Sequence, residues 1–107
     1  MAPTAAPVRR TKERTTEATE DDARPAPPWR VILHDDDVTT MDFVVWLLKT
    51  LFAKPDAEAV RLMLDVHHTG SATVVVCPRE RAELYVEQVR SLAGARGFPL
   101  VATAEAV

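Results

Sequence analysis

The chain's 107 residues suffice for one domain, and 47% hydrophobic with 27% charged residues is an ordinary globular balance. Five of the 13 basic and five of the 16 acidic side chains fall within residues 1–28, so the net charge of −3 sits on the remainder. A mildly acidic domain without a basic stripe argues against nucleic acid and anionic membrane surfaces as partners and suits something cationic. No apolar run reaches the roughly 18 residues of a membrane span. The start, Met1-Ala2-Pro3-Thr4, lacks a basic region followed by an apolar core, so the cytoplasm is the expected compartment.

Residues 1–28 hold five of the eight prolines and no aromatic, Ile or Leu residue. Such a stretch cannot bury enough apolar area to offset its ordering entropy, and it reads as a disordered arm before a domain spanning residues 29–107. Trp29 to His34 is a β-branched and aromatic run after Pro27-Pro28, a strand that Asp35-Asp36-Asp37 ends. Thr39 or Thr40 then caps a helix from Met41 through Phe52 or Ala53, with Asp42 in its first turn. That helix is apolar nearly all round, which predicts that it is largely buried.

Lys54-Pro55-Asp56 breaks the chain. Asp56 is positioned to cap a second helix that runs to about His68 and stops at Gly70. Ala72 to Cys77 reads as a second strand, with Cys77 a passive core thiol. Pro78 opens a third helix to about Ala93, carrying Ala82, Tyr85, Val86, Val89 and Leu92 at helical spacing. Gly94 and Gly97 bracket a turn before a last strand over Phe98–Thr103. The order β-α-α-β-α-β predicts an α+β domain, a three-stranded antiparallel sheet covered by three helices.

The run Asp35-Asp36-Asp37 concentrates negative charge that something should reward. In extended backbone Asp35 and Asp37 converge while Asp36 turns away, and two convergent acceptors invite a cation. Calcium does not fit, because the sixth residue of an EF-hand counted from Asp35 would be Thr40 and not glycine. Zinc on His34, His67 and His68 lacks an i, i+4 histidine pair and thiolates at ligand spacing. A metal-dependent hydrolase on Asp35, Asp37, His67 and His68 is the enzymatic alternative, but no nucleophile stands beside a base. The aspartates could also serve only as hydrated helix caps.

A further candidate is a polypeptide's own α-ammonium group, with three donors and one charge. Met63, Val66 and His67 lie at i, i+3 and i+4 on one helix face, and Met41 and Met63 could wall an apolar pocket beside the acceptors. Two carboxylates and a neutral imidazole would take the three donors. On the residues alone, the capping and amine readings both stand.

Three ordered blocks narrow the choice. The segments Val31-Ile32-Leu33-His34-Asp35-Asp36-Asp37-Val38-Thr39-Thr40-Met41-Asp42-Phe43-Val44 and Leu62-Met63-Leu64-Asp65-Val66-His67-His68-Thr69-Gly70, with the late Pro99-Leu100, resemble the ClpS family of adaptors. The resemblance runs from Trp29 to about Ala104. It implies a non-enzymatic adaptor of the N-end rule pathway, without cofactor and expected to be a monomer. Such an adaptor presents proteins beginning with Leu, Phe, Tyr or Trp to a ClpA- or ClpC-type unfoldase working with ClpP. Carried over by position, the resemblance implies amine binding by Asp35, Asp37 and His67. It implies an apolar pocket of Leu33, Thr39, Met41, Met63, Val66 and Leu100, with Met41 as the gatekeeper against β-branched first residues. The arm would engage the unfoldase during delivery, and docking on the unfoldase's amino-terminal domain would fall near Glu80 and Tyr85. Asp35 stands where many members have Asn, Tyr85 where a Lys is frequent, Thr40 where a Pro is found, and Val38 in place of an aromatic.

Overall fold

The computed structural model describes residues 26–107, so the arm expected over residues 1–28 lies outside the described residues as far as residue 25. From Pro28 the chain runs β1 (Pro28–His34), α1 (Met41–Thr50), α2 (Asp56–Thr69), β2 (Ser71–Pro78), α3 (Arg79–Ala95) and β3 (Val101–Ala106). This is the expected α+β order, and the three strands form one antiparallel sheet with β1 central between β2 and β3.

The alternation of side chains along β1 sets the layers. Val31 and Leu33 are fully buried toward the helices, where they meet Leu47, Leu48 and Val89, which are equally buried. Arg30, Ile32 and His34 fall on the other face of the sheet. There His34 bonds diagonally across the strands, its Nε2 lying 2.8 Å from Thr103 Oγ1. Val31 pairs with Val75 but Ile32 with Thr73, so Val74 is the extra residue of a bulge, and its side chain is buried.

Helix α1 begins as its sequence dictates. Thr40 is the N-cap, and its Oγ1 accepts from the Phe43 amide at 3.1 Å, with Asp42 in the first turn and Lys49 in the last. The expectation that this helix is largely buried is corrected. Phe43, Val44, Leu47 and Leu48 are buried, but Met41 is 45% and Trp46 38% exposed. A domain this small offers α1 only the sheet side and α2 to pack against, so part of its apolar surface stays uncovered.

Three further details differ from the sequence reading. Asp56 is not a cap: Pro55 holds that position without a side-chain bond, and the Asp56 carboxylate pairs with Lys49 Nζ at 2.8 Å. The helix expected to run through Phe52 or Ala53 ends at Thr50, and the reversal that follows puts Ala53 at φ 55°, while the Lys54 amide reaches back to the Leu48 carbonyl at 3.0 Å. The last strand starts three residues later than Phe98. The amides of Gly97 and Phe98 donate to Gly94 and Ala93, Pro99 has no amide to give, and Phe98 turns inward to lie 5.1 Å from the Phe43 ring.

Candidate functional site

Two local devices bring the end of β1 and the end of α2 together. Gly70 closes α2 in the left-handed conformation at φ 95°, its amide on the Val66 carbonyl, and its own carbonyl accepts from the Asp35 amide at 2.9 Å. The next residue, Ser71, pairs with His34. The loop of aspartates is thereby fixed beside the last turn of α2, which carries His67 and His68.

The loop is organised by Asp36. Its Oδ1 accepts from the amides of Val38 and Thr39 at 2.8 and 2.7 Å, and its Oδ2 accepts from Thr39 Oγ1 at 2.8 Å. Burial pushes this carboxyl's pKa up, but the hydrogen bonds from Thr39 and Val38 outweigh it and hold the group below its ordinary value. The expected arrangement, with Asp36 turned to the far side of an extended segment, is therefore corrected. The strand has already ended, and Asp36 borders the same hollow with its oxygens occupied by its own loop. The carboxylates of Asp35 and Asp37 take no such bonds among the described residues.

Between the aspartate loop, the start of α1 and the end of α2 lies an open hollow of about 370 Å³. Its polar end holds Asp35, Asp37 and His67. His67 Nδ1 and Asp35 Oδ2 are 3.9 Å apart, too far for a bond to each other and close enough to accept from one group placed between them. The carbonyl end of α2 adds partial negative charge at the same place. The apolar lining comes from Met41 and Val44 of α1 and Met63 and Val66 of α2, and Thr39 also borders the hollow.

Of the residues singled out in the sequence, Asp35, Asp37, Thr39, Met41, Met63, Val66 and His67 thus border one hollow. Leu33 and Leu100 do not border it. Leu33 is fully buried in the core beneath, and Leu100 is buried beside a separate depression with Phe98 and Pro99. Val44 was not foreseen as a lining residue, although its place three residues after Met41 on α1 puts it on the same helix face. On α3, Glu80 is exposed in the first turn. Tyr85 is half-buried, its ring 4.7 Å from Phe52.

Such a hollow can seat a small cationic head and an apolar side chain attached to it. Among the described residues no three of His, Cys, Asp and Glu come together as metal ligands would, and no helix is long and apolar enough to cross a membrane. Cys77 is half-buried, and burial pushes its thiol pKa up while Arg81 acts against that.

Known proteins resemble both the sequence and the fold. The family model described as ATP-dependent Clp protease adaptor protein ClpS matches residues 24–103. The ATP-dependent Clp protease adapter protein ClpS of Desulfatibacillum aliphaticivorans is 46% identical over 90 residues, 84% of this chain and 86% of that protein. Its counterpart from Desulforapulum autotrophicum is 43% identical over 94 residues, 88% of this chain and 90% of that one. Among solved structures, Agrobacterium tumefaciens ClpS2 bound to L-phenylalaninamide matches with a TM-score of 0.75 at 36% identity, covering 78% of this chain and 100% of that chain. The chain therefore belongs to the ClpS family and is an adaptor of the ATP-dependent Clp protease, not an enzyme.

Proposed function

We propose that this adaptor seats the free α-amino group of a polypeptide between Asp35, Asp37 and His67 and its first side chain between Met41, Val44, Met63 and Val66. The observation that carries the reading is the pair of unengaged acceptors 3.9 Å apart opening onto a methionine-walled recess. An α-ammonium carries three donors, and each charge-assisted bond contributes about 1.5–3 kcal/mol. Burying a Leu or Phe side chain contributes about as much again, which after association entropy leaves an affinity on the order of micromolar. The ligand of the solved relative, L-phenylalaninamide, has these two features, a free amine and a large apolar side chain.

The substrates are proteins beginning with Leu, Phe, Tyr or Trp, and the adaptor hands them to a ClpA- or ClpC-type unfoldase coupled to ClpP. The exposed start of α3 around Glu80 docks on the unfoldase's amino-terminal domain, and the segment before Trp29 assists delivery. The binding half is tested by fluorescence anisotropy on peptides that differ only in the first residue, each with a free or an acetylated amine. Free Leu and Phe peptides should bind at least tenfold more tightly than their acetylated copies. Equal binding of the two forms would remove the proposal.

A further inference from the structure

The recess that ends at Met63 does not close off the space between α1 and α2. On the far side of the Met63 side chain a second depression of about 600 Å³ continues along the same pair of helices. It is bordered on α1 by Asp42, Val45, Trp46 and Lys49, spaced i, i+3, i+4 and i+7 and thus on one face, and on α2 by Val60 and Met63. Met63 borders both spaces, so they adjoin across its side chain along the furrow between α1 and α2.

The second stretch has the properties of a seat. Trp46 and Val60 are 38% and 43% exposed although both are large and apolar. The indole is held in place: Phe43 lies 5.6 Å from it, and the Arg96 guanidinium stands over it at 5.0 Å and over Phe43 at 5.4 Å. A tryptophan immobilised this way contributes contact area without a large loss of side-chain freedom on binding. Asp42, which also borders it, can accept from backbone amides, while Lys49 is already paired with Asp56.

We propose that this stretch of the furrow receives an apolar or aromatic side chain at the third position of the polypeptide whose first residue occupies the recess, an inference that rests on the proposed function. The spacing supports it. An extended chain advances about 3.3 Å per residue, so a third residue lies about 7 Å beyond the first and points to the same side. Along α2, the step from Val66 to Val60 is about 9 Å, with Met63 midway. For a chain running along the furrow toward the start of α2, with its first side chain between Val66 and Met63, the third side chain falls at about the level of Val60, opposite Trp46. Substrates would be selected by a first bulky residue and, independently, by an apolar third one.

The test uses the full chain and peptides of sequence Phe-Ser-Xaa-Ser-Ser with a fluorophore at the carboxyl end, where Xaa is Ser or Leu, each with free and acetylated amine. With free amines, Leu at the third position should tighten binding about five- to tenfold over Ser. In Trp46→Ala and, separately, in Val60→Ser, that ratio should fall below about twofold while binding of the all-serine peptide stays within about twofold of wild type. Two substitutions on different helices guard against one that merely unfolds the domain. No preference in the wild-type protein, or a preference that survives both substitutions, overturns the inference while leaving amine recognition intact. Acetylated peptides binding as well as free ones would overturn both. A concentration-dependent dimer abolished by Trp46→Ala, with no third-position preference, would overturn it in favour of self-association.

Discussion

At the scale of single residues, the three consecutive aspartates do two different jobs, and hydrogen bonding separates them. Asp36 spends its carboxylate on Val38 and Thr39, so the loop keeps its shape while Asp35 and Asp37 stay open to a ligand. Replacing Asp36 by Ala should cost about 0.5–2 kcal/mol in denaturant unfolding at pH 7, the range for losing a capping side chain. Because its folded-state pKa is depressed, the contribution is complete above the unfolded value near 3.8 and disappears as pH falls through the lower folded value. The stability difference between wild type and Asp36→Ala should therefore be constant from pH 7 to about 5 and shrink below about 4. A gap that is unchanged at pH 3 would show that the carboxylate's charge plays no part. Met41 stands at the rim, 45% exposed, where it can meet a second methyl group on the first Cβ of a ligand. Met41→Ala should alter stability by no more than about 0.5 kcal/mol and raise binding of Ile and Val peptides relative to Leu. An unchanged ranking in a peptide panel would take the gatekeeping role away from Met41.

At the scale of elements, the reversal between α1 and α2 holds the two walls of the recess in register, and it does so with a strained residue. Ala53 sits at φ 55°, where a Cβ crowds its neighbours by about 1 kcal/mol or more and glycine does not. Ala53→Gly gives back some of this through the greater freedom of the unfolded chain, so the expected net gain is about 0.5 kcal/mol with a Tm raised by a few degrees. A fall in Tm by calorimetry would mean that the Ala53 methyl makes contacts that outweigh the strain. Sequence reading could not have placed this residue, since Ala53 looks like an ordinary helix end. What was legible followed from periodicity and punctuation: the first strand ended by the aspartates, the Thr40 cap, the Gly70 stop, and Met63, Val66 and His67 on one face. The misreadings share a cause, tertiary packing overriding local preference. Trp46 looked like core but had no partner layer to bury it. Asp56 looked like a cap but was drawn to Lys49, and Phe98 looked like a strand start but was pulled onto Phe43.

At the scale of the molecule, the net charge of −3 and the siting of the aspartates decide when the ligand is attracted. The recess offers acceptors and an apolar wall but no fixed cation, so the positive charge has to come from the ligand. A polypeptide's α-amino group titrates near 7.7–8.0, which leaves roughly a tenth or less of it charged at pH 9. Binding of a Leu-initiated peptide should therefore weaken about tenfold between pH 7 and pH 9, and by about tenfold more for each further unit, if the ammonium is the bound form. A peptide methylated on its α-nitrogen to a fixed positive charge provides the control. It should lose the pH dependence while binding less tightly, since it keeps the charge but has no N–H to donate. Asp35 and Asp37 are exposed, so salt should screen their attraction, with a Debye length of about 8 Å at physiological strength. Affinity for the unmodified peptide that holds level from pH 7 to pH 9 would mean that the neutral amine is what the recess binds. The carboxylates would then have to act as hydrogen-bond acceptors alone.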